Sequence, residues 1–459
     1  METVNLPRLL LAAPASGSGK TTVSCAILRA LVKRGMRVAS FKSGPDYIDP
    51  MFHRSAVGAA YSSNLDLYLG DRETICRLLA DAGRTDLALI EGAMGLYDGL
   101  AGKSIEASAY DLGRVTKTPT ILVINGRGMA VSIAAMVNGF KNFRSDSGIV
   151  GVILNQLSPS VYPEVQELIE RECAVDVFGY LPPMPGCGFE SRHLGLVTAR
   201  EISRLREKLD RLAEQAEQTI DLDGLVAAAQ NASTLIYQPL ALEPVNGTPR
   251  IAVAHDAAFS FYYADSLALL QLLGAELVWF SPLADRSIPF DCDGLLLGGG
   301  YPELHAWRLA RNRSMQESVR KAIESGMPTI AECGGFLYLH RTLEDRRRIP
   351  HRMVGLIPAA GYKTDQLSRF GYVELTAKQD NLLCSRGGTF RAHEFHYWES
   401  GDCGDGFSAQ KPMRDVHWDC VHITERLYAG FPHLYLAGDP PAARRFLNAA
   451  LEYRKEQGR

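Results

Sequence analysis

The sequence predicts an α/β protein of two domains, each built on a parallel sheet, and three stretches carry that expectation. Leu9 to Thr22 (LLLAAPASGSGKTT) is an apolar run that breaks into small residues and then opens a helical pattern. Downstream, apolar runs of strand length alternate with helix-periodic segments, the pattern of a doubly wound sheet. After a proline-bearing stretch at Tyr237 to Arg250 the alternation restarts, and it delivers a cysteine onto a glycine-flanked strand-to-helix turn.

A chain of 459 residues is too long for one ordinary core. The expected division is a first domain over 1–235, a linker over 236–250 and a second domain over 251–459. Hydrophobic residues make up 46% and charged residues 22%, as in soluble globular enzymes. A net charge of −3 argues against a nucleic-acid or anionic-membrane partner. No apolar run approaches the roughly 18 residues of a membrane span, and the chain enters its first strand too early for a signal peptide. Nine scattered cysteines with no C-x-x-C pair point away from a disulfide scaffold or a zinc site and towards a reducing cytoplasm.

The opening stretch reads as strand, glycine-rich loop and helix N-terminus, which together cradle phosphate with backbone N–H groups and the positive end of a helix dipole. Gly17 and Gly19 allow close approach, Lys20 reaches the β/γ-phosphates and the Thr21 hydroxyl ligates Mg²⁺. Pro14 stands where the strict pattern has glycine, so this is a variant P-loop.

A helix over Thr21–Arg34 follows, then a strand over Arg37–Phe41 and the loop Lys42–Pro50 with Asp46, Tyr47 and Asp49. Ligands bind at the carboxyl edge of such strands. Asp86–Ile90 is a second buried-strand pattern, with Glu91 just past it and Asp98 in the loop beyond. A carboxylate so placed near a P-loop is a usual second anchor for Mg²⁺. Strands at Pro119–Ile124 and Gly148–Leu154 bracket a helix at Met129–Phe140, and helices are expected at Arg200–Gln218 and Leu222–Ala229.

In the second half, strands are expected at Ile251–Ala254, Glu276–Phe280, Gly294–Leu297 and Met327–Ala331, with helices at Ser260–Leu273 and from Phe336. Gly298-Gly299-Gly300 forms a turn rich in N–H groups, and Cys333 precedes Gly334-Gly335 in the elbow arrangement of acyl-transfer nucleophiles. A thiol nucleophile needs a base. His393, His396, His417, His422 and His433 are the candidates, and spacing does not choose among them.

The blocks FKSGPDYIDP, NLDLYL, IEGAMGLYDG, GVILNQ, GYLP, ESRHLGL, LLLGGGYPE, AECGGFLYL, RFGYVEL and HEFHYWE resemble the cobyrinate a,c-diamide synthase family, glutamine-dependent amidoligases of corrin biosynthesis. The resemblance spans essentially the whole chain. It implies a dethiobiotin synthetase-like P-loop domain followed by a class I glutamine amidotransferase domain. It implies Cys333 as nucleophile, His433 as base, and Gly299, Gly300 and the amide of Gly334 as oxyanion donors. It also implies a dyad, since Tyr435 occupies the place of an acidic third member.

For ATP it implies Gly17, Ser18, Gly19, Lys20, Thr21 and Thr22, with Asn155 reading the adenine. Asp46, Tyr47, Asp49 and Asp98 become substrate-facing positions. Thr21, Glu91 and Asp46 become Mg²⁺ ligands, with Asp66 another candidate. The implied reaction is amidation of the a and c acetates of cobyrinate, using ATP, glutamine and Mg²⁺, in a cytoplasmic enzyme that could form a homodimer. Nickel-sirohydrochlorin or hydrogenobyrinate as acceptor fits the same motifs. A P-loop regulatory ATPase is the alternative of another class; intact Cys333 and His433 argue against it, as does Ala15 where a MinD-like ATPase carries lysine.

Overall fold

Strand β2 (Arg8–Ala12), buried along all five residues, lies at the centre of the first of two units, Met1–Leu240 and Ala241–Arg459. The computed structural model describes residues 1–187 and 199–459, so the block ESRHLGL lies outside the described residues. Besides the short β1 (Glu2–Val4), this unit contains β3 (Val38–Ser43), β4 (Tyr61–Leu65), β5 (Leu87–Glu91), β6 (Thr120–Asn125), β7 (Ile149–Asn155), β8 (Asp176–Leu181) and β9 (Leu235–Tyr237). Seven of these form one sheet in the order β4-β3-β5-β2-β6-β7-β8, parallel throughout. Because helices cover both faces of such a sheet, its strands read as continuous apolar runs.

The helix Lys20–Lys33 packs Val23, Ile27 and Leu31 into this core, and the helix Ala199–Thr219 adds Leu209, Leu212, Ala213 and Ala216. That i, i+3, i+4, i+7 spacing is the apolar stripe of an amphipathic helix. Arg8 is fully buried at the foot of β2. Its guanidinium donates to Thr118 Oγ1, Leu6 O, Thr116 O and Ser233 O, and burial lowers its pKa to about 10.

β1 pairs antiparallel with β9, Glu2 opposite Tyr237. The expected linker is therefore shorter: Tyr237 ends a strand and Arg250 begins one. Three-residue strands are too short to show a period. β4 was also unforeseen, because its sequence YSSNL is polar although Ser62, Ser63 and Asn64 are buried.

The second unit has two sheets. Strands β10 (Arg250–Ala254), β11 (Glu276–Phe280), β12 (Gly294–Leu297) and β13 (Thr329–Glu332) join β20 (His422–Ile423) and β21 (Leu427–Gly430) in the order β11-β10-β12-β13-β21-β20. The other sheet contains β14 (His340–Glu344), β15 (Pro350–Arg352), β16 (Ile357–Ala377), β17 (Thr389–Ser400), β18 (Phe407–Gln410), β19 (His417–Cys420) and β22 (His433–Leu434). Its centre is the long antiparallel pair β16–β17, whose register shifts between Lys363 and Gly371. This sheet was not foreseen from the sequence. Among the described residues no helix is long and apolar enough to cross a membrane.

Candidate active sites

In the first unit the carboxyl ends of β2, β3, β5 and β7 gather the candidate residues. Register sets Leu11 of β2 and Lys42 of β3 both opposite Glu91 of β5. Gly17 and Gly19 have φ of 80° and 90°, a left-handed backbone that costs glycine little. A side chain at Gly19 would meet Asn155 Nδ2 at 2.0 Å, so the loop is closed against β7 by the absence of a Cβ. Asn155 Nδ2 donates to Ser18 O at 3.0 Å, which gives Asn155 a loop-positioning contact.

The Thr21 hydroxyl donates to Glu91 Oε1 at 2.6 Å, and Lys42 Nζ donates to the same oxygen at 2.6 Å. Lys42 Nζ also lies 2.7 Å from Asp49 Oδ2. Burial disfavours the Lys42 charge, but Glu91 and Asp49 outweigh it and hold the ammonium protonated. Lys20 Nζ donates to Met94 O at 2.5 Å; burial, opposed by Glu91, lowers its pKa to about 8.

These residues suit a divalent cation. A hydroxyl and a carboxylate are the hard oxygen ligands Mg²⁺ takes beside nucleotide phosphates. Glu91 Oε2 is buried with no hydrogen-bond partner among the described residues, so one oxygen is left for such a role. The other acidic candidates are differently engaged. Asp46 Oδ1 accepts from the amides of Ile48 and Asp49, and burial, reinforced by the Asp49 charge, raises its pKa to about 6. Asp66 Oδ1 accepts from the amides of Tyr68 and Leu69. Tyr47 is buried beside Asp46, whereas Asp98 is exposed and takes the Gly95 amide at 3.0 Å.

Beneath Glu91 lies a group that sequence reasoning missed. His53 is buried with Nδ1 2.6 Å from Ser40 Oγ and Nε2 3.6 Å from Cys25 Sγ. Burial keeps its pKa below the ordinary histidine value. Its two partners come from separate elements distant in sequence, so no local pattern announces it.

In the second unit Cys333 follows β13 directly and precedes the helix Gly334–Tyr338. Its φ of 48° and ψ of −100° are the strained backbone of a sharp elbow. The Cys333 amide donates to Gly430 O at 2.8 Å and that of Gly335 to Gly298 O at 3.0 Å, which ties the elbow to its neighbours. A Cβ on Gly335 would sit 2.0 Å from Leu297 O, and one on Gly334 3.0 Å from Gly300 N. The Gly299–Gly300 turn thus lies against the helix start, where the first amides have no intrahelical partner.

Of the five C-terminal histidines, His433 is the one hydrogen-bonded to Cys333. A Cβ on Gly299 would approach its Cε1 to 2.4 Å. His433 Nδ1 faces Glu332 Oε2 at 3.5 Å, and Glu332 Oε1 accepts the Leu434 amide at 3.0 Å. The expectation was a dyad; in the structure a carboxylate, supplied by the residue before the cysteine, lies behind the imidazole. Burial opposes the His433 charge, yet Cys333 and Glu332 together raise its pKa to about 10.

The other histidines differ. His396 bonds Trp398 O at 2.7 Å and stacks on Phe431 at 3.8 Å, His417 is exposed, and His422 lies 3.2 Å from Asp402 O. Glu394 was not anticipated at all. It is fully buried, neither carboxyl oxygen has a hydrogen-bond partner among the described residues, and burial raises its pKa to about 8.

Comparison with known proteins agrees with this two-part layout. Residues 9–189 match the CobQ/CobB/MinD/ParA nucleotide binding domain. Residues 250–439 match the CobB/CobQ-like glutamine amidotransferase domain. The cobyrinate a,c-diamide synthase of Thermoplasma volcanium is 40% identical over 458 residues, 99% of each chain. That of Listeria monocytogenes is 41% identical over 85% of this chain and 86% of its own. That of Salmonella typhimurium is 38% identical over 96% of this chain and 97% of its own. With a P-loop unit, a cysteine-elbow unit and relatives aligned from end to end, the chain belongs to the cobyrinate a,c-diamide synthase family.

Proposed function

We propose that this protein amidates the a and c acetate carboxylates of cobyrinate, with glutamine as nitrogen donor and ATP as the activating co-substrate. The observation that carries this is a Cys333–His433–Glu332 cluster on an elbow, in the same chain as a P-loop whose Thr21 bonds Glu91. Cys333, as thiolate, attacks the glutamine side-chain amide, and His433 returns a proton to the departing nitrogen. Ammonia leaves and water cleaves the glutamyl thioester. The amides of Gly300 and Gly334 stabilise the oxyanion, a role supported by the closeness of the Gly299–Gly300 turn to the helix start.

In the first unit a carboxylate of the ring attacks the γ-phosphorus of ATP, the bond to the β-phosphate oxygen breaks with release of ADP, and an acyl phosphate forms. Oxide is too poor a leaving group for direct amidation, whereas phosphate departs readily when ammonia attacks. Lys20 neutralises charge on the phosphates, and Thr21 with Glu91 would hold a Mg²⁺ that shields the same oxygens. Asn155 braces the loop through Ser18 and reads the adenine.

The experiment supplies ATP and glutamine with each candidate tetrapyrrole and reads product mass. The expected product from cobyrinate is the diamide, lighter than the substrate by two oxygen-for-NH replacements. Cys333→Ala should lose the glutamine-supported reaction and keep the ammonia-supported one. Equal loss with both nitrogen sources in a folded variant would overturn the two-site scheme.

A further inference from the structure

His393 is a buried histidine that the glutaminase assignment leaves unused, and it stands beside the one that assignment employs. β17 and β22 pair antiparallel with His393 opposite His433. Residues directly opposed on such a pair share a face, with Cβ atoms about 5 Å apart. The His393 ring is held edge-on by Phe370, 6.0 Å between centroids, and by Tyr372 at 5.8 Å. Phe370 packs in turn against Phe395 at 5.3 Å, and both reach the surface, 56% and 43% exposed. His393 is thus the buried end of an aromatic row that opens outward from His433.

His393 itself is 7% exposed, and its Nδ1 is buried with no hydrogen-bond partner among the described residues. Buried polar atoms in native proteins have partners, and an exception asks for an explanation. Burial, together with the charges of His433 and Lys411, lowers the His393 pKa to about 3. The ring therefore stays neutral at working pH and keeps an acceptor lone pair.

We propose that His393 Nδ1 accepts a hydrogen bond from the side-chain amide N–H of glutamine and so orients the leaving nitrogen towards His433. This rests on the glutaminase assignment made above. When the Cys333 sulfur adds to the amide carbon, the nitrogen becomes tetrahedral and basic. The C–N bond breaks as that nitrogen takes the proton from the His433 imidazolium, releasing neutral ammonia and leaving the thioester. The transfer needs the nitrogen lone pair to face His433, and an acceptor holding one N–H fixes that rotation.

The test compares two substrates on the full-length protein: glutamine, and the γ-methyl ester of glutamate, whose leaving group has no N–H. His393→Leu removes the acceptor and keeps bulk, with His393→Met as the second variant should the first not fold. His393→Asn retains an acceptor. The expected result is a fall of about tenfold or more in kcat/KM for glutamine in the apolar variants, partial recovery in His393→Asn, and ester hydrolysis within about twofold of the unsubstituted protein. Equal losses on both substrates would make His393 a structural residue and overturn the inference, as would undiminished glutamine hydrolysis. An unsubstituted protein that hydrolyses neither substrate would overturn the glutaminase assignment itself.

Discussion

Glu332 Oε2 lies 3.5 Å from His433 Nδ1, so the residue that ends β13 supports the imidazole that bonds the next residue's thiol. A carboxylate behind the ring fixes its orientation and stabilises the imidazolium formed when the thiol gives up its proton. Glu332→Gln keeps the shape and removes the charge. Glutamine hydrolysis should fall on the order of a hundredfold, while ammonia-supported amidation continues at its original rate. Steady-state glutamate release reads the first quantity and diamide formation from ammonium the second. Unchanged glutamate release would reduce Glu332 to a backbone brace for Leu434.

Lys42 should matter for stability as well as charge placement. Its ammonium lies 2.6 Å from Glu91 and 2.7 Å from Asp49, with all three side chains largely buried. Lys42→Met leaves two carboxylates facing each other without a cation. Removing one partner of such a group typically costs about 3–5 kcal/mol, to be read from urea unfolding. Adding Glu91→Gln should recover part of that loss, and a strictly additive double variant would show that the pair is not coupled.

The buried Glu394 predicts a pH dependence. Its folded pKa of about 8 lies above the ordinary 4.5, so the folded state keeps a proton that the unfolded chain has released. Stability from this group therefore falls as pH rises from about 4.5 through about 8. His396 Nε2 lies 4.0 Å away. Arg369, Lys411 and His433 favour ionisation of the carboxyl, and Glu399 opposes it. Glu394→Gln mimics the protonated acid and does not titrate. Relative to the wild type, it should gain about 1.4 kcal/mol per pH unit across that window. Parallel unfolding midpoints at several pH values check this, and a constant difference between the two proteins would exclude it.

What was legible in the chain follows from how local the signals are. The P-loop, the strands β11 and β12 and the elbow at Cys333 rest on contiguous runs, and each appeared within a residue or two of its expected place. Glu332 escaped notice because its partner is on a distant strand, and an expectation set by spacing after His433 looked in the wrong place. Lys42 was seen only as one charge in a polar loop, since its salt bridges depend on β3 pairing with β5. The antiparallel sheet around β16 and β17 was lost for another reason. Its long strands mix charged, polar and aromatic residues and carry register shifts, which erase the two-residue period.

Asp46 and Asp49 sit three positions apart and were alike in the sequence, yet their surroundings differ, and so should the local packing of their variants. Asp49 is paired with Lys42, so Asp49→Asn removes half of the lysine's compensation and loosens the cluster around Glu91. Asp46 uses Oδ1 to hold the amides of Ile48 and Asp49. An asparagine side chain has the same acceptor, so the loop should keep its shape in Asp46→Asn while losing a charge that titrates near 6. A carboxylate makes a poor neighbour for an anionic acceptor unless a cation or a proton intervenes. Both variants should therefore fold, bind ATP and hydrolyse glutamine, but release phosphate with little diamide formed. Wild-type amidation should rise with pH through about 6 as Asp46 ionises, and Asp46→Asn should lack that limb. Phosphate and diamide measured together from pH 5 to 8 separate the cases. Normal coupling in both variants, with the acid limb intact in Asp46→Asn, would return this loop to a structural turn.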